Sequence, residues 1–374
     1  MHDKTAEQLL AKVMGWQDLG TQDLEEVQKH LPPLQLLANY KYDHYQRFGP
    51  GWRFIESLAL WLYQFSSLED RKAALKLVRD RLIYFSEAEF AHLVRTAYPD
   101  CIVQERIRLV AEEYAIPAHR VGEICRHPRF HELQLKSLYL GLSDGARTNE
   151  LRRVSSGEIS NEQIWQAYEL GEDKAEDMLN ELRSSLRKAG IETENPRFNL
   201  IWLLDDFSGS GNTYIRFDHE TKRFKGKIKK IFDRLHRGDL VDVSHYEVFL
   251  LLYAATRQAI DHIEYWCDRF TSENRYKPLQ VRVLSPIGEE VALTFNAGTD
   301  LAAFLDKSEY YDSRATDKHI AVGGTADARL GFAGCALPLV LSHNTPNNSI
   351  YLLWGPESFR PFGLFPRVSR HREF

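Results

Sequence analysis

Ile201-Trp202-Leu203-Leu204-Asp205-Asp206-Phe207-Ser208-Gly209-Ser210-Gly211-Asn212-Thr213 is the stretch that decides the fold. Four apolar residues lead straight into two carboxylates, and a loop of Ser, Gly, Asn and Thr follows at once. A short apolar run bounded by turn residues reads as a strand buried on both faces. The loop after it sets backbone N–H groups and hydroxyls beside a pair of acids. Gly209 and Gly211 allow close backbone approach and positive φ, while Ser208, Ser210 and Thr213 add hydroxyl donors. Such donors suit a phosphate, and carboxylates suit the vicinal hydroxyls of a ribose. Ligands of open α/β sheets bind outside the carboxyl ends of the strands. The candidates are therefore Asp205 and Asp206 for the sugar and the reaction centre, and Ser208, Gly209, Ser210, Gly211, Asn212 and Thr213 for its phosphate. The other reading is an Asx-type turn after a buried strand, with the acidic pair capping a helix.

Working outward, Ser137–Leu142 is a second β-compatible run, ending in Ser143-Asp144-Gly145-Ala146-Arg147. A helix is expected from about Ser160, continuing with breaks through Lys174–Lys188. Downstream, Tyr214–Phe217 and Arg223–Gly226 flank a polar turn and read as a hairpin. A basic helix, Lys227–Arg237, comes next, then strand Val243–Tyr253, helix 257–270 and strand Leu279–Leu284. This alternation of strands and helices predicts an α/β protein with a mostly parallel sheet. The cations of 222–237 either contact a phosphate or form a solvated face, the commoner outcome.

Residues 1–135 read as a helical N-terminal region, with Ser67 and Ser86 as helix caps and Pro32-Pro33 and Gly49-Pro50-Gly51 as turns. The fragment Glu105–Cys125, two helices about Ile116-Pro117, has helix-turn-helix length, but a packed helix pair is favoured. Residues 136–374 form the second predicted domain. In its last part Gly331–Leu341 reads as a short helix and Ile350–Trp354 as a strand. The tail Arg367–Arg372 reads as basic and exposed. Between them lies the polar loop Ser342–Ser349, in which the imidazole and amides of His343, Asn344 and Asn347 could match the edges of a base; a surface turn is the competing reading.

Composition narrows the classes. The chain of 374 residues is 43% hydrophobic and 27% charged with a net charge of −5, which gives no global electrostatic case for nucleic acid or an anionic membrane. Cys101, Cys125, Cys267 and Cys335 are far apart, arguing against a zinc site or disulfide framework and for buried free thiols. The N-terminus has no long apolar run, and no apolar stretch nears the ~18 residues of a membrane span. A soluble cytoplasmic protein is expected.

Residues 201–213 resemble the ribose-phosphate loop of type I phosphoribosyltransferases. Trp202 stands where an aliphatic is usual, and Phe207-Ser208-Gly209 replaces a more apolar middle. The resemblance covers roughly 136–290 and implies a phosphoribosyltransferase-like sheet. It places a pyrophosphate loop after an earlier strand, here Ser143, Asp144, Gly145 and Arg147. It also implies chemistry at C1 of a phosphoribosyl or nucleotide substrate, with Mg²⁺ held mainly by substrate oxygens. Together with the helical N-terminal region and the His-Asn-Thr-Pro-Asn-Asn segment, the chain resembles a divergent branch found in bacterial conflict and anti-phage systems. Some members of that branch accompany retron reverse transcriptases, which implies a reverse transcriptase or RNA partner. A non-catalytic module that senses nucleotides or docks on a protein–RNA partner is the alternative, and oligomeric state is left open.

Overall fold

The computed structural model describes residues 3–16, 21–46, 48, 52–167, 172–293 and 300–367. It divides into two compact units, Met1–Glu89 with Glu289–Phe374, and Phe90–Gly288. The sequence-based boundary at 135/136 falls within the second unit, after helix Pro128–Leu135. The turn expected at Gly49-Pro50-Gly51 and most of the basic tail, 368–372, lie outside the described residues. Among the described residues no helix is long and apolar enough to cross a membrane. Strands among the described residues, in chain order, are β1 Ile83–Phe85, β2 Ser137–Gly141, β3 Ile164–Gln166, β4 Leu200–Ser208, β5 Arg216–Asp218, β6 Arg223–Lys225, β7 Glu247–Thr256, β8 Leu279–Ile287 and β9 Leu339–Leu341.

In the second unit five strands form one sheet in the order β3-β2-β4-β7-β8, every neighbouring pair parallel. Its central strands are buried on both faces, as their near-continuous apolar sequence requires. Leu138, Leu140, Ile201, Leu203, Val248 and Leu250 share one core with helices Glu172–Lys188, Lys227–Arg237 and Arg257–Asn274. On the alternate positions Tyr139, Trp202 and Phe249 stand side by side in register, with Trp202 stacked on Phe249 at 4.5 Å. The bulky Trp202 thus fills a cross-strand aromatic row rather than obstructing the loop. The β5–β6 hairpin and helix Lys227–Arg237 lie where the sequence puts them. Helices Gln104–Glu113 and Val121–Arg126 share a small core through Ile107, Val110 and Ile124.

The interrupted helix expected from Ser160 begins as a single turn, Asn161–Gln163, closed by a reciprocal Ser160/Gln163 cap; the break holds a strand, β3, and the long helix begins at Glu172. β3 has no apolar pattern of its own and exists by pairing with β2.

The first unit packs helices Phe54–Tyr63 and Leu68–Asp80 around Phe65, Trp61 and Tyr351. β1 pairs with β9 in parallel, joining segments far apart in sequence. Ser67 and Ser86 act as caps, accepting from Asp70 N at 3.1 Å and Glu89 N at 3.2 Å. Three expectations are corrected here. Pro32-Pro33 lies inside helix Thr21–Tyr40, where burial of Leu34 and Ala38 outweighs the local penalty. Ile350–Trp354 is not a strand: Tyr351–Trp354 is a helical turn buried on all sides, and periodicity does not separate a short buried helix from a strand. Gly331–Leu341 is not a helix, because Gly331, Ala333, Gly334 and Ala336 all take positive φ; a short turn leads into β9.

Asp70 of this unit is buried and accepts from Lys307 Nζ at 2.6 Å and Tyr310 OH at 2.8 Å. Burial raises its carboxyl, but these hydrogen bonds win and hold it below its ordinary value. A depressed folded-state value means stability present above the ordinary pKa and lost as pH falls through the folded value. In acid titration followed by circular dichroism, Asp70→Asn should therefore flatten the loss of stability below about pH 4. An unchanged acid profile would contradict this.

Candidate functional site

The chain goes from β2 outward to β3, then returns to β4 on the other side of β2. The sheet order therefore reverses between β2 and β4, the switch point at which adjacent loops diverge and leave a crevice outside the carboxyl ends. The two loops singled out in the sequence leave these two strands, and the structure brings them together.

Asp205 lies fully buried near the carboxyl end of β4. Its Oδ1 accepts from the Ser143 hydroxyl and from Asp206 N at 3.3 Å. Its Oδ2 accepts from Tyr214 OH at 2.8 Å and Lys227 Nζ at 3.0 Å. Burial raises the Asp205 carboxyl; Lys227 opposes this and the Asp206 charge adds to it, and the net direction is up. Burial and Asp205 together push the Tyr214 hydroxyl well above its ordinary value, so it stays a donor. Asp205 thus stitches the β2 loop, the β4 loop and the start of helix Lys227–Arg237 together. Its acceptor positions are filled from within the protein.

Asp206 is also buried, and its Oδ1 accepts from Phe207 N at 2.8 Å. Gly145, from the β2 loop, packs directly on this carboxylate: a Cβ added there would lie 2.6 Å from Asp206 Cγ and closer still to Oδ2. Ser143 Oγ accepts from Gly145 N at 3.2 Å, shaping the turn. Ala146 O accepts from the buried Tyr253 hydroxyl of β7 at 2.9 Å. Arg147 takes left-handed backbone geometry and lies 4.9 Å over the Phe90 ring, with Nη1 3.4 Å from Glu150.

The loop after β4 is fixed at three points. Thr256 Oγ1 donates to Gly209 O at 2.6 Å and also caps helix Arg257–Asn274 by accepting from Ala259 N. Ser208 Oγ accepts from Gly211 N at 3.3 Å. Gly211 has φ +76 and lies against that helix, where a Cβ would meet Ala259 O and Ile263 Cγ1 at 3.0 Å. The backbone N–H groups of Ser210, Asn212 and Thr213 have no acceptor among the described residues. N–H groups left open close together in a tight loop suit an anion.

His343, Asn344 and Asn347 belong to the first unit. Asn344 N donates to Leu341 O at 3.0 Å, Asn347 O accepts from Phe332 N at 2.6 Å, and the neighbouring Thr345 is fully buried. Asn344 Oδ1 is buried without a partner among the described residues. Of the basic stretch 222–237, Lys227 turns inward to Asp205 and Arg234 donates to Ala167 O at 2.6 Å. Tyr214 is the residue that sequence reasoning missed, read only as the start of a hairpin strand; Lys227 belongs to the cations considered for a phosphate, and its partner here is Asp205.

A doubly wound parallel sheet with an acidic pair and an open N–H loop at its switch point defines a phosphoribosyltransferase-like α/β protein. The family model PRTase-CE matches residues 58–367, and the chain belongs to this phosphoribosyltransferase-like family. No curated protein and no solved structure is significantly matched.

Proposed function

We propose that the loops after β2 and β4 bind a phosphorylated ribose and that the protein acts at C1 of a phosphoribosyl or nucleotide substrate. The observation that carries this reading is the convergence at the switch point of the open N–H groups of Ser210, Asn212 and Thr213 with the Asp206 carboxylate and the Gly145 turn. In this reading the loop N–H groups hold the 5-phosphate, and Asp206 accepts from a ribose hydroxyl. Asp205 acts through its neighbours: held by Ser143, Tyr214 and Lys227, it keeps the two loops in register. The β2 turn, Ser143 to Arg147, lies beside the leaving group. Protein chemistry at such a centre is positioning and charge stabilisation, with no nucleophile of its own.

Mg²⁺ belongs to the proposal as the ion that neutralises a diphosphate. Asp206 is a hard oxygen donor of the right type for it, and the ion's other partners would be substrate oxygens and water. An effector role in phage defence rests on the resemblance described above. Incubation with phosphoribosyl pyrophosphate or nucleotides, followed by detection of released pyrophosphate or free base, tests catalysis. Saturable binding with no product would favour the nucleotide-sensing alternative.

Gly145→Ala tests the site through Asp206. The backbone there is open to alanine, but the methyl group must displace the Asp206 carboxylate. Phosphoribosyl pyrophosphate affinity should fall at least about tenfold, the size of one charge-assisted hydrogen bond, while the overpacking costs about 1–3 kcal/mol of stability and leaves the chain folded. Unchanged affinity would remove Asp206 from the site.

A further inference from the structure

At the opposite end of the same sheet the second unit holds a cavity of about 630 Å³. Its floor is made by residues just before the strands, Gln134 and Leu135 ahead of β2, Gln163 ahead of β3 and Phe198 ahead of β4. It therefore lies at the amino ends of strands whose carboxyl ends carry the loops described above. The volume is within the range of small-molecule sites.

Its chemistry is uneven. Phe130, Leu135, Met178, Leu182 and Phe198 give an apolar wall. Arg106 is only 1% exposed, yet its Nε has no partner among the described residues. Its Nη2 donates to Tyr98 OH at 2.9 Å and Glu158 Oε2 at 3.0 Å, and its guanidinium lies 4.6 Å over the Phe130 ring. Glu158 thus neutralises Arg106, while Glu162 and Glu181, also lining the cavity, have no ion pair or hydrogen bond among the described residues. An apolar wall, two unpaired carboxylates and a guanidinium edge with an unfilled donor call for three complementary features in one ligand. A buried donor without a partner costs free energy that a ligand acceptor recovers, and two unopposed carboxylates draw a cation.

We propose that this cavity is a second ligand site, for a small organic amine that also carries a hydrogen-bond-accepting atom and an apolar group. The ammonium meets Glu162 and Glu181, the acceptor meets Arg106, and the apolar group lies against Phe130 and Phe198. The site is separate from the switch-point crevice, so its occupancy is independent of whether phosphorylated ribose binds there.

Three probes dissect it by calorimetry on the full chain. Phenylalaninamide carries all three features, N-acetylphenylalaninamide lacks the charge, and phenethylamine lacks the carbonyl acceptor. Phenylalaninamide should bind saturably, phenethylamine at least threefold more weakly, and the acetylated form at least tenfold more weakly. The Glu162→Gln/Glu181→Gln variant should lose at least tenfold for phenylalaninamide and most of the dependence on salt. Should that variant fail to fold, Ser185→Trp, placed on the cavity wall, should block binding while leaving phosphoribosyl pyrophosphate binding unchanged. No binding to the wild type, equal binding of the acetylated probe, or full binding to either folded variant would overturn the proposal.

Discussion

Asp206→Asn should weaken phosphoribosyl pyrophosphate binding by roughly 10- to 150-fold, the range set by hydrogen bonds to a charged group at about 1.5–3 kcal/mol. The variant keeps the side chain's shape and the oxygen that accepts from Phe207 N, so the β4 turn survives. It removes the negative charge and replaces one acceptor by a donor pair facing the sugar. The melting temperature should stay within about 3 °C, a change equivalent to no more than roughly 1 kcal/mol. The corresponding change at Asp205 has a different meaning, because that carboxylate holds Tyr214, Lys227 and Ser143. There the loss should show in stability and binding together. If Asp205→Asn and Asp206→Asn behave alike in both measurements, the division of labour between the two acids is wrong.

Gly211→Val should destabilise the second unit strongly. A non-glycine residue at φ +76 costs roughly 1–2 kcal/mol. Forcing a branched side chain against Ala259 O, Ile263 and the His262 ring adds about 1–3 kcal/mol. Together these correspond to a fall in melting temperature of roughly 5–15 °C for a unit of this size. Gly190→Ala supplies the comparison, since Gly190 has φ +68 and nothing near its missing Cβ. It should cost only the backbone term, about 1–2 kcal/mol. Equal losses at the two positions would mean that the contact of the loop with helix Arg257–Asn274 contributes nothing.

Much of the second unit was legible because its signals are local. A run such as Leu200–Leu204 is buried wherever it goes, and the acids and glycines after it leave little choice but a turn at a strand end. Helix Lys227–Arg237 was legible for the same reason, with Ile228, Ile231, Phe232 and Leu235 on one face. What escaped is what depends on distant partners. β3 is a strand only because β2 lies beside it, and β1 only because β9 does. Tyr351–Trp354 is apolar on every side, so its period was uninformative. In the site, the acids and the glycine loop could be read from chemistry, whereas the roles of Tyr214 and Lys227 emerge only when the chain folds back on Asp205. Spacing also gave no warning that His343, Asn344 and Asn347 belong to a different compact unit from the Asp-Asp loop.

The most direct test is calorimetric titration of the full chain with phosphoribosyl pyrophosphate in the presence of Mg²⁺, repeated with Gly145→Ala and Asp206→Asn. The account predicts saturable binding at one site per chain, weakened at least about tenfold in each variant, with both variants folded and Asp206→Asn melting near the wild-type temperature. Absence of binding to the wild type, or binding that both variants retain in full, would contradict the assignment of the switch-point crevice to a phosphorylated ribose.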